Sequence, residues 1–146
     1  MNQELVNSLN LLLSNFHIYY QNTRGFHWNI KGKNFFELHA KFEELYTEAL
    51  TNIDDIAERI LTIKGRPDHT LETYLEKSAI KSVKDLSDDL QIVEAILVNL
   101  KQLVDQENKV KLIASDIGDD ETEDMMIALV NSHEKTIWMF ESWLEK

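Results

Sequence analysis

The sequence predicts an all-α protein, a bundle of four long helices in a single domain spanning residues 1–146. Apolar side chains recur at intervals of three and four residues through most of the chain, which is the spacing of one face of a helix. The 146 residues include only four glycines and one proline, too few turn-forming residues for a sheet of many strands. The length suits one domain with its own core.

The first two helices are expected over residues 3–30 and 34–63, with a Lys-Gly-Lys turn between them. Asn34 can cap the second helix. Gly65 and Pro67 end it, because glycine permits left-handed geometry and proline cannot donate a backbone hydrogen bond. The apolar positions of helix 2 are Phe35, Leu38, Phe42, Leu45, Ala49, Ile53, Ile56 and Ile60.

A long connection follows helix 2, over residues 68–81, and a short helix is predicted within it at residues 70–75. Helix 3 is expected to begin near Ser82 or Val83 and to extend to Ile113. Its apolar positions are Leu86, Leu90, Val93, Ile96, Leu97, Leu100, Leu103 and Val104.

Gly118 marks the end of helix 3, and Asp119 or Asp120 can cap helix 4, which is expected over residues 121–144. The apolar face of helix 4 is predicted to contain Met125, Leu129, His133, Ile137, Phe140 and Leu144. Four helices with a long crossover between the second and the third are typical of a ferritin-like four-helix bundle.

Composition excludes several classes of protein. The chain has no cysteine, which rules out disulfides and thiolate metal sites and agrees with a cytoplasmic location. No stretch resembles a membrane span or a secretion signal. The net charge of −11 opposes binding to nucleic acid or anionic membranes and favours cations. No Lys or Arg precedes Arg24 and only Lys146 closes the chain, so no basic tail is available for DNA.

Five side chains in the first half of the chain are candidate metal ligands: His27, His39, Glu43, Asp54 and Glu58. The last four fall within helix 2. A helix turns by about 100° per residue. Measured around the helix axis from His39, the carboxylates of Glu43, Asp54 and Glu58 lie at about 40°, 60° and 100°, so all four side chains share one stripe. Imidazole and carboxylate together form a ligand set for iron, zinc or manganese.

The spacing along this stripe prevents one chain from closing a site. Asp54 follows His39 by 15 positions, which is roughly 22 Å at about 1.5 Å per residue, whereas ligand bonds are about 2 Å long. Two antiparallel copies remove the conflict if a two-fold axis crosses helix 2 near Glu48 and Ala49. We therefore predict two equivalent metal sites per dimer, each divided between both chains.

The same side chains have plainer interpretations. Acidic helix positions most often form a solvated charged face, and His27 can simply pack beside Trp28. No Lys or Arg neutralises the stripe, which favours metal binding. A classical di-iron bundle presents Glu-x-x-His on two helices, and no histidine here has Glu three residues before it. We interpret His17, His69 and His133 as structural or surface residues.

Residues 116–124 contain six acids in nine positions. Carboxylates at a helix N-terminus offset the macrodipole, which explains part of this cluster, but six exceed what one terminus requires. If several copies converge on a symmetry axis, these acids form a negative funnel that draws cations inward.

Five stretches of the chain match a known family: F-H-W-N-I-K-G, N-F-F-E-L-H-A-K-F-E-E-L-Y, I-D-D-I-A-E-R-I, G-D-D-E-T-E-D-M-M-I-A-L and I-W-M-F. They resemble the Dps family, the mini-ferritins or DNA-binding proteins from starved cells, over essentially the whole length. The family signature consists of two histidines followed by an aspartate and a glutamate, all at fixed intervals. His27, His39, Asp54 and Glu58 match it in both identity and spacing.

The resemblance implies a dodecameric hollow shell with ferroxidase centres at its dimer interfaces. His27 and His39 would come from one subunit, and Asp54 and Glu58 from the other. The family often has Asp where this chain has Glu43, which keeps the carboxylate but adds a methylene. The aromatic residue that many members have beside the centre corresponds to Trp28, directly after His27.

The resemblance also implies a function, iron storage by oxidation of Fe(II) with hydrogen peroxide or O2, which protects against oxidative stress. Asp120 and Asp124 fall in the segment that lines three-fold pores through which iron enters, and Asp116 and Asp119 are further candidates for lining the same pores. The alternative is a DNA-compacting stress protein with secondary metal chemistry. Because the basic tail of DNA-binding members is missing, the chain resembles the non-DNA-binding branch.

Overall fold

Five helices account for the regular structure in the computed structural model, which describes residues 1–145. Four of them are long and one is short. In chain order they are α1 (Gln3–Asn29), α2 (Phe35–Thr62), α3 (Leu71–Lys77), α4 (Asp89–Asp116) and α5 (Asp120–Leu144). The predicted all-α bundle, with a short helix between its second and third long helices, is confirmed.

The long helices run up, down, down and up. Short turns make α1 and α2, and likewise α4 and α5, antiparallel neighbours. The crossover returns the chain to the starting end of α2, where the Lys31 N–H donates to the Ser87 carbonyl at 3.0 Å and the Asn34 side chain to Asp89 at 2.8 Å. Asn34 thus occupies the N-cap position of α2 but makes no capping bond with its side chain.

Three buried asparagines of α1 hold the crossover against the bundle. Asn10 bonds backbone groups of Arg66 and Asp68, and Asn15 accepts from the N–H of Ala79 at 2.8 Å. Asn22 donates to the Lys81 carbonyl at 2.9 Å and to Asn99 at 3.1 Å, and it accepts from the Val83 N–H at 3.0 Å. The asparagine side chains thus provide hydrogen-bond partners for backbone N–H and C=O groups of the crossover, which have no helical partners there.

The predicted start of the third long helix near Ser82 was wrong. The helix begins at Asp89, because the Asp88 carboxylate accepts from the Gln91 N–H at 3.0 Å and caps it. Asp85 has a φ of 62°, which interrupts helical geometry just before that point. The missed signal is an Asp-Asp pair preceding the apolar run.

The end of α2 also differs from the expectation. The left-handed residue is Lys64, with a φ of 73°, and not Gly65. Gly65 is needed for space, since a Cβ there would lie 2.6 Å from a methyl group of Val6. The end of α4 agrees with the prediction, because Gly118 has a φ of 74° and the Asp119 N–H returns to the Ala114 carbonyl.

The core lies between all four long helices. Its largest fully buried side chains include Phe16, Tyr19, Phe42, Ile56, Ile60, Ile92 and Ile96. On α5 the buried stripe contains Met126, His133 and Phe140, whereas the predicted positions Met125 and Leu129 are half-buried. Within residues 1–145, no helix combines the length and apolarity needed to cross a membrane.

Candidate metal centre

His27 and His39 form a stacked pair of imidazole rings at the turn between α1 and α2. Their centroids are 3.7 Å apart and their planes differ by 11°. The Nδ1 atom of each ring lies 2.6 Å from the backbone carbonyl oxygen of the other residue. Each histidine is therefore held in two ways, by a hydrogen bond to the backbone of the other histidine and by stacking on its ring.

These hydrogen bonds determine the tautomer of both rings. A carbonyl oxygen can only accept, so each Nδ1 must donate a proton. In a neutral imidazole the other nitrogen, Nε2, then has its lone pair free, which is the form that binds a metal. The pair thus presents two nitrogen lone pairs of fixed orientation.

The local backbone explains why the pair forms here. His27 lies in the last turn of α1, where carbonyls lose their helical partners. The Lys31 N–H, which would normally bond to the His27 carbonyl, donates instead to Ser87. His39 supplies the missing donor from the first turns of α2. His27 is only 6% exposed, so its position is set by packing as well.

Glu43 adds a carboxylate one turn after His39. Its Oε1 atom is 3.8 Å from Nε2 of His27, and its side chain is 62% exposed. It can therefore swing toward or away from the imidazole pair. Among the described residues 1–145, no group of three or more His, Asp and Glu side chains is arranged to hold a metal ion.

Asp54 and Glu58 form a second cluster further along α2. Both are exposed, and they lie one helical turn apart. A side-chain hydrogen bond between them, together with the negative charge of Asp54, raises the pKa of Glu58. A raised pKa in an exposed acid means that two carboxylates share a small space, where a cation would stabilise both in ionised form.

The face of α2 that contains these candidate ligands also exposes three large apolar side chains. Phe36 is 83% exposed, Leu50 53% and Leu61 56%. With His39 again at zero, their angular positions around the helix are about 60°, about 20° and about 40°, within the range of angles that the candidate ligands cover. Leu50 is close to the midpoint of α2, where the two-fold axis is predicted.

The acidic segment at the start of α5 divides into two kinds of residue. Asp116, Asp120 and Asp124 are exposed, and the last two line a recess of about 460 Å³. Asp119 instead faces the bundle. Its carboxylate pairs with the Arg59 guanidinium at 2.9 Å and accepts from the N–H and hydroxyl of Thr122 at 3.0 and 2.6 Å.

This network shifts the titration of Asp119. Partial burial by itself would raise the pKa of the carboxyl group. The two hydrogen bonds from Thr122 and the positive charge of Arg59 act in the opposite direction and prevail, so the pKa of Asp119 is lowered. Arg59 was not predicted as its partner, since the pairing joins residues 60 positions apart.

The remaining histidines lie outside both clusters. His133 is buried and its Nδ1 contacts the fully buried carboxylate of Glu107 at 2.8 Å. His17 stacks on Tyr74 with a centroid distance of 3.8 Å, and burial lowers the pKa of His17. His69 is exposed.

Comparisons with known proteins agree with this architecture. The family model described as Ferritin-like domain matches residues 6–146. The chain is 37% identical over 146 residues to DNA protection during starvation protein 2 of Bacillus anthracis, covering all of both chains. It is 34% identical over 144 residues to general stress protein 20U of Bacillus subtilis, covering 99% of each.

Solved structures give the same result. A Dps protein from Vibrio cholerae O1, described as a member of a broad superfamily of ferritin-like diiron-carboxylate proteins, superposes with a TM-score of 0.96 at 43% identity, covering 98% of this chain and 90% of that one. A Dps protein from Bacillus brevis gives a TM-score of 0.96 at 38% identity, covering 99% and 100%. The chain belongs to the Dps family of ferritin-like proteins.

Proposed function

We propose that this protein is an iron-storage and detoxification ferroxidase. It oxidises Fe(II), with hydrogen peroxide or O2 as oxidant, at sites shared between two subunits of a dodecamer. Ferric mineral then grows inside the hollow shell, which protects a cytoplasm under oxidative stress. The observation that carries this proposal is the fixed imidazole pair of His27 and His39, two nitrogen ligands with free Nε2 atoms.

The rest of the ligand set comes from a second copy. His39 and Asp54 are too far apart on one helix for a common ion. A two-fold axis that crosses α2 near Glu48 and Ala49 would bring the histidine pair of one chain to the Asp54/Glu58 pair of the other. The exposed apolar side chains on the same face of α2 favour association of this face, since burying them stabilises a dimer. Glu43 then completes the site from the histidine side.

The chemistry follows from two ferrous ions held close together. Each Fe(II) loses one electron, and one hydrogen peroxide takes up both electrons and two protons, so that its O–O bond breaks and two waters form. No hydroxyl radical is released. The protein supplies position and negative charge, and iron supplies the redox chemistry.

The exposed acids at the start of α5 serve uptake of iron. Asp120 and Asp124 face solvent beside an open recess, and Asp116 is exposed at the end of α4. Around a three-fold axis they would concentrate Fe(II) at a pore. Asp119 contributes less in this proposal, because its charge is offset by Arg59.

A direct test compares the assembled wild type with the double variant His27→Ala/His39→Ala, adding Fe(II) and peroxide anaerobically and following Fe(III) formation and peroxide consumption. The variant is expected to lose the rapid phase. His69→Ala is the matched control, because it removes an exposed histidine outside both ligand clusters, and it should behave as wild type. Equal rates in all three proteins would refute the proposal.

A DNA-compacting function is the second candidate, because the relative from Bacillus anthracis is named for DNA protection. The net charge of −11 opposes it, since DNA affinity depends on neutralising phosphates with Lys and Arg. A gel-shift titration at low salt tests this candidate. No retardation is expected, and retardation that disappears with rising salt would support DNA binding.

A further inference from the structure

The imidazole pair is the middle of a column of four aromatic rings. Phe35 stacks on His39 with centroids 4.8 Å apart and planes at 19°. His39 stacks on His27, and Tyr46 meets the other side of His27 edge-on, at 5.3 Å and 80°. Three members of the column come from α2 and one from α1.

The order of the column follows from helical geometry. With His39 at zero, Phe35 and Tyr46 both lie within about 40° of it and on the same side of α2, so the three rings share a row along the helix. Phe35 and His39 are about one helical turn apart, and His39 and Tyr46 are about two turns apart. The ring of His27 fills the wider gap, which explains why it lies between His39 and Tyr46.

Each end ring restricts a different motion. The hydrogen bonds from Nδ1 hold one edge of each imidazole, but rotation about that edge remains open unless the ring faces are covered. Phe35 covers the free face of His39, and Tyr46 covers the free side of His27. Tyr46 is held in turn by Tyr20, whose ring it meets at 6.0 Å and 84°.

We infer that Phe35 and Tyr46 are positioning residues for the metal site. They keep the Nε2 atoms of His39 and His27 aimed at the incoming ion without contacting the ion themselves. The inference rests on the proposed function, because it takes the two histidines as ligands. Preorganised ligands bind more tightly, since less side-chain freedom is lost when the ion arrives.

The test uses Co(II), which binds imidazole and carboxylate without being oxidised and whose visible spectrum reports ligand geometry. Assembled protein is titrated with Co(II) alone. Phe35→Leu and Tyr46→Leu are each expected to weaken binding about three- to tenfold, the loss expected when one immobilised side chain is released. Both should also change the visible spectrum. Phe35→Tyr and Tyr46→Phe keep the rings and should restore both readouts.

Phe42→Leu is the matched control for a purely structural effect. Phe42 is a fully buried ring on the same helix that faces Phe140, so this variant should lower thermal stability and leave Co(II) affinity unchanged. If the Phe35 and Tyr46 variants bind Co(II) as wild type does, or if Phe42→Leu weakens binding equally, the inference is wrong. If His27→Ala/His39→Ala binds Co(II) as tightly as wild type, the proposed site itself fails, whatever the ring variants do.

Discussion

The pairing of Asp119 with Arg59 predicts that two neighbouring acids, Asp119 and Asp120, have separable roles. Replacing Asp119 should lower stability, because its carboxylate caps α5 and neutralises an arginine whose side chain is 19% exposed. Replacing Asp120 should leave stability nearly unchanged, because that side chain is exposed. In the proposed function, only the second change slows iron uptake strongly.

The magnitude of the Asp119 effect can be divided into two parts. Loss of an N-cap costs about 1 kcal/mol. Leaving the mostly buried Arg59 without its partner adds about 1–3 kcal/mol, somewhat below the cost for a fully buried pair. Asp119→Ala should therefore cost about 2–4 kcal/mol, or roughly 10 °C in Tm. Asp119→Asn keeps a good cap, so it should show only the part due to the lost ion pair.

The pH dependence gives an independent check. Because the folded pKa of Asp119 is below its unfolded value, its contribution to stability is complete above the unfolded pKa of about 3.9 and is lost as pH falls through the folded pKa. The destabilisation caused by Asp119→Asn should accordingly shrink on acidification. Chemical denaturation at several pH values measures this. A cost that is absent at neutral pH, or that grows in acid, would refute the assigned network.

Three further predictions concern the fold and its association. Asn22→Leu leaves the hydrogen-bond partners of Asn22 in the crossover unpaired and should lower the free energy of unfolding by about 2–4 kcal/mol. Urea denaturation should show a lower midpoint, and an unchanged midpoint would contradict the anchoring role. Gly65→Ala forces a Cβ against Val6 and should lower the free energy of unfolding by about 1–3 kcal/mol, measured by thermal melts. Gly25→Ala is the control: its Cβ would meet open space, so it should cost no more stability than an ordinary surface substitution. Leu50→Glu adds charges at the predicted two-fold axis and should yield smaller particles by light scattering, while Leu112→Glu, on α4, should assemble normally.

Local features of the structure were predictable from the sequence. The helix ends at Gly118 and before Pro67, the apolar stripe of α2 and the shared face of His39, Glu43 and Asp54 all follow from helical periodicity and turn chemistry. Helical periodicity needs only neighbours in the chain, and such patterns are visible in the printed sequence.

Features that depend on contacts distant in sequence were not predictable in the same way. The asparagines of α1 have partners about 60 positions away, and the ion pair of Asp119 connects helices α2 and α5. The exchange of hydrogen bonds between His27 and His39 depends on the path of the turn between their helices. Polar partners of this kind follow from the packing of the helices, which periodicity alone does not specify.

Complementation between two inactive variants tests most directly the claim that each site is divided between two chains. His27→Ala/His39→Ala lacks the nitrogen half, and Asp54→Asn/Glu58→Gln lacks the carboxylate half. When the two are unfolded together and reassembled, every mixed dimer contains one site with all wild-type ligands. Random mixing at equal amounts should then restore about one quarter of wild-type Fe(II) oxidation. If the mixed particles stay as inactive as the separate variants, the ligands do not come from different chains and the account is contradicted.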